Sequence, residues 1–329
     1  MSTSNWEEVT STADWVGKGY FASVVYDNKI FAIGGWVGST IRLNDVWSSV
    51  DGVNWMEVTA TADWSARDGL RSVVYDNKIF VMGGYDGTNK LNDVWSSSDG
   101  GVNWVEVTAA ADWSVRNMFG CVVYDNKIFV LGGANLNDVW SSEDGGVNWI
   151  VVTAAADWSG RHGHEIIVYD NKMFVIGGRE SGVSYYNDVW SSSDGGVNWM
   201  EVTAAADWSV RRYFASIVHD NKIFVMGGLF GSDRYNDVWS SSDGGVNWVE
   251  VTTGADWSAR YGFELIFYNS KIYVMGGFNG NYVNDIWSWE ILAESVTSAV
   301  TETSKTIAVS GWVVFHAGLV GLTVISYMR

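Results

Sequence analysis

One sentence of sequence recurs along this chain. DVWSSSDGGVNW occupies 93–104, close copies stand at 138–149, 188–199 and 237–248, and a version one residue shorter, DVWSSVDGVNW, at 45–55. Asn-Trp pairs place Trp at 6, 55, 104, 149, 199 and 248. Gly-Gly pairs fall at 34–35, 83–84, 132–133, 177–178, 227–228 and 276–277, and Asn-Asp-(Val/Ile)-Trp at 44–47, 92–95, 137–140, 187–190, 236–239 and 284–287. The chain is therefore six units of about 49 residues, a period that belongs to repeat architectures.

Within a unit the apolar runs are short or alternate with period two, the pattern of strands. In the second unit, Arg67–Tyr75 is read as strand a and Asp76-Asn77 as a tight turn. Lys78–Met82 is strand b, stopped by Gly83-Gly84. Asn92–Ser96 opens strand c, Asp99-Gly100-Gly101 turns the chain, and Asn103–Thr108 is strand d. Four antiparallel strands repeated six times give an all-β fold, a six-bladed β-propeller. The chain begins with a strand d (Asn5–Thr10) and its last repeat ends with a strand c (Asn284–Trp289). The N-terminal strand is therefore expected to complete the sixth blade and close the ring, which removes open sheet edges.

Gly-Gly after an apolar strand, then Asn-Asp-Val-Trp, then Asn-Trp, with a cation at the start of strand a, resembles the kelch repeat family. The resemblance covers about residues 5–290. It implies the propeller fold and leaves function open, because one fold hosts many functions. Ser97-x-Asp99-x-Gly101-x-x-Trp104 also resembles the Asp box of sialidase-like propellers. Its occurrence in blade after blade marks it as architecture: Asp and Ser side chains bonding turn amides, with Trp packed between blades. A catalytic group is needed once, a staple in every blade.

Two places vary between repeats. The loop between strands b and c reads WVGSTIRL (36–43), YDGTNKL (85–91), ANL (134–136), RESGVSYY (179–186), LFGSDRY (229–235) and FNGNYV (278–283). Loops on a rigid ring are the usual binding elements. At the start of strand a every repeat carries a cation: Lys18, Arg67, Arg116, Arg161, Arg211 and Arg260. The resemblance implies that this end shares a face with the b–c loops, so the six cations are expected to ring one mouth of the central channel. The competing reading has each cation bonding carbonyls or stacking on the Trp of Ala-Asp-Trp (Trp15, 64, 113, 158, 208, 257). Four residues beyond each cation stand Ala22, Arg71, Gly120, Glu165, Ala215 and Glu264. Three charges on an innermost strand are expected to face the channel, because charges are rarely buried alone. There Arg71 would take anionic groups, and Glu165 or Glu264 would accept donors; Arg71 would pair with neither glutamate directly if the ring spaces them apart.

The formal charge of −18 and pI of about 4.4 argue against nucleic acid as partner. One cysteine, Cys121, permits no internal disulfide. His162 and His164 beside Glu165 form one cluster without further spaced ligands, so no metal site is expected, and no cofactor motif occurs. Proline is absent altogether, for which no physical account is offered.

After Trp289 the composition changes. Residues 291–305 read as an acidic, Ser/Thr-rich linker. Between Ile307 and Met328 the only titratable side chain other than Tyr327 is His316. As a helix this stretch spans roughly 33 Å, against a bilayer core of about 30 Å. Residues 306–329 are therefore expected to be a C-terminal apolar helix anchoring the chain to a membrane. The N-terminus has no signal-like run, which points to a tail anchor with the propeller in the cytosol; the alternative is a soluble cytoplasmic protein.

The expectation is a non-enzymatic binding platform that presents its b–c loop face and the six cations to a protein or small anionic ligand. The alternative from another class is a sugar-acting enzyme (lyase, mutarotase or hydrolase) in the channel, using Glu165, Glu264, Arg71, His162 and His164.

Overall fold

The computed structural model describes residues 6–290. They form six four-stranded sheets. The first strands of these sheets are Ala22–Tyr26, Arg71–Tyr75, Gly120–Tyr124, Glu165–Tyr169, Ala215–His219 and Glu264–Tyr268. Each packs beside its predecessor and successor, and the last meets the first. The sheets are thus blades one to six around a common axis, as the sequence leads one to expect. Blade six consists of Glu264–Tyr268, Lys271–Met275, Ile286–Glu290 and the chain's first strand, Trp6–Thr10, with Trp6 opposite Trp289 and Glu7 opposite Ser288. The expected helix at 306–329 and linker at 291–305 lie outside the described residues.

Strand limits differ from the reading in an instructive way. In blade two the first strand begins only at Arg71, and the second continues through the glycine pair to Tyr85. The glycines mark a bulge: Met82 pairs Val94 but Gly84 pairs Leu91, so the register slips there. Gly83 and Gly84 have φ of 52° and 104°. A Cβ on Gly84 would lie 2.9 Å from the Asp68 carbonyl, and one on Gly83 2.9 Å from the Phe119 ring of the next blade. Only glycine gives that backbone and that approach at once. The Asp-Asn turns between the first two strands have both residues at positive φ, as at Asp76 (45°) and Asn77 (54°), the two-residue hairpin form that matches strand twist.

The core lies between blades. At each seam a fully buried Trp meets another Trp edge to face: Trp64 and Trp104 at 5.9 Å, Trp113 and Trp149 at 5.8 Å, with four equivalents. Such a pair contributes about 0.5–1.5 kcal/mol beyond its burial. The Asp box is a staple. Ser97 Oγ accepts from the Gly101 amide at 2.8 Å, Asp99 accepts from the Asn103 amide at 3.0 Å, and Trp104 Nε1 donates to the Gly101 carbonyl at 3.0 Å. Burial pushes the Asp99 carboxyl up, but the Asn103 and Ser97 hydrogen bonds outweigh it and hold it low.

Candidate binding face and axial chamber

The six cations do not ring an open mouth. Lys18, Arg67, Arg116, Arg161, Arg211 and Arg260 are buried, each at 0–1% exposure. Each is paired with the Asp of its own repeat's Asn-Asp-Val-Trp. Arg116 grips Asp138 with both guanidinium nitrogens at 2.8 Å, and Arg67, Arg161, Arg211 and Arg260 grip Asp93, Asp188, Asp237 and Asp285 in the same way. Lys18 reaches Asp45 at 2.9 Å. The same Arg116 donates to the Gly132 and Ser114 carbonyls, and Asp138 accepts from Trp140 Nε1 at 2.8 Å. The glycine pair, the arginine, the aspartate and the tryptophan are thus one network, repeated in five blades, with Lys18 keeping only the aspartate link in blade one. Its cations also sit over the Ala-Asp-Trp rings, Arg116 at 5.5 Å from Trp113. The expectation of an exposed cation ring is corrected: a buried guanidinium must be paired, and here the repeat itself supplies the partner.

Around the axis the backbone closes a second ring. Gly69 N–H donates to Tyr20 O, Met118 to Gly69, Gly163 to Met118, Tyr213 to Gly163, Gly262 to Tyr213 and Tyr20 to Gly262, all at 2.8–2.9 Å. All six residues have φ between 53° and 61°. Bulky and glycine positions alternate, and the bulk fills the axis. Tyr20 and Tyr213 meet at 5.0 Å, and a Cβ on Gly163 would lie 2.6 Å from the Tyr213 ring. Tyr20, Met118 and Tyr213 therefore plug the channel.

Beneath the plug lies a chamber of about 130 Å³ lined by Arg71, Glu165, Glu264 and Ser216, among others. These three charges line one chamber on the axis, and the ring does not space Arg71 from Glu165. Arg71 Nη2 is 3.5 Å from Glu165 Oε1, while its Nε donates to the Phe119 carbonyl at 2.6 Å. Six blades make a narrow axis, so alternate strands bring their side chains together across it. Glu264 accepts from Ser23 Oγ at 2.9 Å. Burial pushes Glu165 up to about 8, against the opposing pull of Arg71, with a further push from Glu264. Burial likewise raises Glu264 to about 7. Glu165 keeps 22% of its side-chain surface accessible, but that surface faces the confined chamber.

His162 and His164 diverge. His164 occupies the place where other repeats carry Phe or Leu. It is fully buried against Trp158, and both its ring nitrogens lack a partner. His162 lies on the loop face, 3.2 Å from Arg212 Nη1. Burial, then Arg212 and Arg179, lower it to about 4, so it is neutral. Among the described residues no group of three His, Cys, Asp or Glu side chains is placed to hold a metal.

The loop face carries side chains that, His162 apart, sequence reading did not single out. Directly after the buried cations stand Gly19, Asp68, Asn117, His162, Arg212 and Tyr261. All of them but Asn117 bridge by backbone to the residue after the glycine pair, as Arg212 does to Leu229 and His162 to Arg179. Arg179 stacks on Tyr185 at 4.7 Å, and Arg212 on Tyr213 at 4.5 Å. Among the described residues neither has a carboxylate within salt-bridge distance, and Arg212 Nε is buried without an acceptor. By contrast, Arg42 is committed to Asp68. On blades six and one, Trp36, Tyr282, Phe278 and Tyr261 pack in sequence at 5.0–5.4 Å. The face is thus cationic on one side of the plug and aromatic on the other. The signal was present: the position after the invariant cation differs in every repeat.

These features define a kelch-type propeller. A domain described as the KLHDC2/KLHL20/DRC7 Kelch-repeats domain matches residues 1–154 and again 121–318. The chain belongs to that kelch-repeat family. No curated protein matches the chain at a significant level.

Proposed function

We propose that this chain is a non-enzymatic binding platform whose b–c loop face takes a protein segment bearing carboxylates and apolar side chains. A kelch propeller is consistent with a protein-binding scaffold. The observation that carries the finer reading is the pair Arg179 and Arg212, unmatched by carboxylates and flanked by a neutral histidine. A carboxylate would complete the Arg212 fork, and a charge-assisted bond in a partly desolvated site is worth more than one in water. The aromatic half would take the apolar side chains. An array of acidic and aromatic peptides probed with the protein tests this. Binding that weakens tenfold or more in Arg212→Ala, and falls with added salt, supports it; acidic peptides bound equally by wild type and by the Arg179→Ala, Arg212→Ala double variant would sink it.

The sugar-acting alternative finds little support in the chamber. It is closed on the loop face and holds only a handful of water-sized groups. His162 and His164 point elsewhere.

Membrane attachment through 306–329 is proposed from sequence alone. Among the described residues no helix is long and apolar enough to cross a membrane, and the segment lies outside them. Carbonate-resistant membrane association of the full chain, lost on truncation at Ser304, is the expected result, with the propeller open to protease on the cytosolic side.

A further inference from the structure

The axial chamber is built differently from everything around it. Below the plug, near the turn end of the inner strands, Val25 and Phe267 keep 36% and 40% of their surface exposed. Solvent therefore reaches the axis from the side opposite the loops. The channel is a blind tube: apolar collar, polar chamber, aromatic plug.

The polar inventory of the chamber does not balance. Arg71 supplies one positive charge and already serves Glu165 and the Phe119 carbonyl. Glu264 has Ser23 Oγ and no cation within salt-bridge distance. Ser72 Oγ is turned away, donating to the Ser23 carbonyl. Ser216 lines the cavity, and its buried Oγ has no partner. One cation is shared by two carboxylates, so the chamber is one positive charge short. What fits is a compact group with several N–H donors and one positive charge, on an apolar stem that the collar can cover.

We propose that the chamber binds a primary ammonium group, carried by a free alkylamine or by a lysine side chain inserted from the mouth opposite the b–c loops. The ammonium donates to Glu264, Glu165 and Ser216 Oγ, and its methylene stem lies against Val25 and Phe267. A quaternary ammonium lacks the donors and is excluded. A carboxylate ligand meets two glutamates and is excluded as well.

The empty chamber answers its own imbalance with a proton. The charged or titratable groups facing it are Glu165, Glu264, Arg71 and Cys121, with Tyr20 and Tyr213 in the plug above. Burial pushes the Cys121 thiol up to about 12 and raises both tyrosines, so none of these three ionises near neutrality. The carboxylate pair is what titrates there. Entry of an ammonium at pH 7 should therefore expel a proton.

The test is calorimetric titration of the full chain with n-butylammonium chloride at pH 7, in two buffers of different ionisation enthalpy at constant ionic strength. The expected result is saturable binding with release of up to one proton, at least tenfold weaker in the Glu165→Gln, Glu264→Gln double variant. Tetramethylammonium should neither bind nor raise the melting temperature. Absence of saturable butylammonium binding, or equal thermal shifts from the two cations, overturns the proposal even if the variant fails to fold. A lysine-containing peptide distinguishes the sources: binding equal to butylammonium's assigns the group to a partner's side chain, and much weaker binding to a free amine.

Discussion

Tyr20 and Tyr213 meet edge to face across the propeller axis, 5.0 Å between ring centroids and 86° between planes, each from a backbone position of positive φ. A left-handed φ costs a non-glycine residue on the order of 1 kcal/mol, and it persists here because the rings seal the channel. Gly163, next in the ring, leaves room for Tyr213. Gly163→Ala should destabilise the protein by about 2–3 kcal/mol, from a forced contact plus strain. In a Tyr213→Gly background the same change should cost only about 1 kcal/mol, the strain alone. A double-mutant cycle by urea unfolding measures the difference.

The buried cations predict loss of fold, not loss of binding. Arg116→Ala strands Asp138 and should cost about 3–5 kcal/mol. Lys18→Arg should instead gain about 1 kcal/mol, because Lys18 makes a single bond to Asp45 where the arginines grip both oxygens. Thermal unfolding of both variants checks the pair of signs.

His164 sits where Phe21, Phe119, Phe214 and Phe263 stand in other repeats, and burial holds it well below its ordinary pKa. Its folded value lies below the unfolded one, so the native state refuses a proton that the unfolded chain accepts. Stability should fall as pH drops below about 6.5, by up to about 1.4 kcal/mol per unit from this residue. His164→Phe should add about 1–3 kcal/mol at pH 7 by removing unsatisfied polar atoms. Its advantage should widen on acidification, as chemical denaturation from pH 7 to 5 would read.

The chamber glutamates have the opposite sign. Their folded values are raised, so the native state keeps protons the unfolded chain has lost, and stability declines as pH rises from about 4.5 toward 8. Glu165→Gln should therefore stabilise at pH 8.5 by on the order of a few kcal/mol, and little at pH 5. Denaturation midpoints at the two values decide it.

One seam is weaker than the rest. Tyr26, Tyr75, Tyr124, Tyr169 and Tyr268 each donate to the second turn residue of the next blade, as Tyr26 does to Asn77 O at 3.1 Å. His219 replaces this tyrosine in blade five and stacks on Phe267 at 4.4 Å. Thr252 bonds Gly254 locally, where Thr59, Thr108, Thr153 and Thr203 reach the following blade. His219→Tyr should raise stability by about 0.5–1.5 kcal/mol. Hydrogen exchange should show Ala215–His219 opening before Gly120–Tyr124 does.

The repeat made the propeller, its closure and the Asp-box staple legible, because period and turn chemistry are local. The six cations were misplaced because their partners lie 22–27 residues downstream, a pairing that spacing alone does not reveal. Their recurrence in every repeat was the better guide. Arg71 and Glu165 were correctly set in the channel, yet their contact needed the diameter of the ring. Arg179 was read only as part of its b–c loop, and Arg212 went unread because it occurs once, beside the recurring cation Arg211.

Blade six takes its outer strand from the opposite end of the propeller sequence. Trp6 has its partner, Trp289, 283 residues later. Until synthesis reaches that point, five blades stand with two unpaired flanks and the opening strand has no sheet to join. A chain that stops before Ile286–Glu290 is therefore not a smaller propeller but an open arc, exposed to chaperones, to proteases and to the flank of any other unfinished copy.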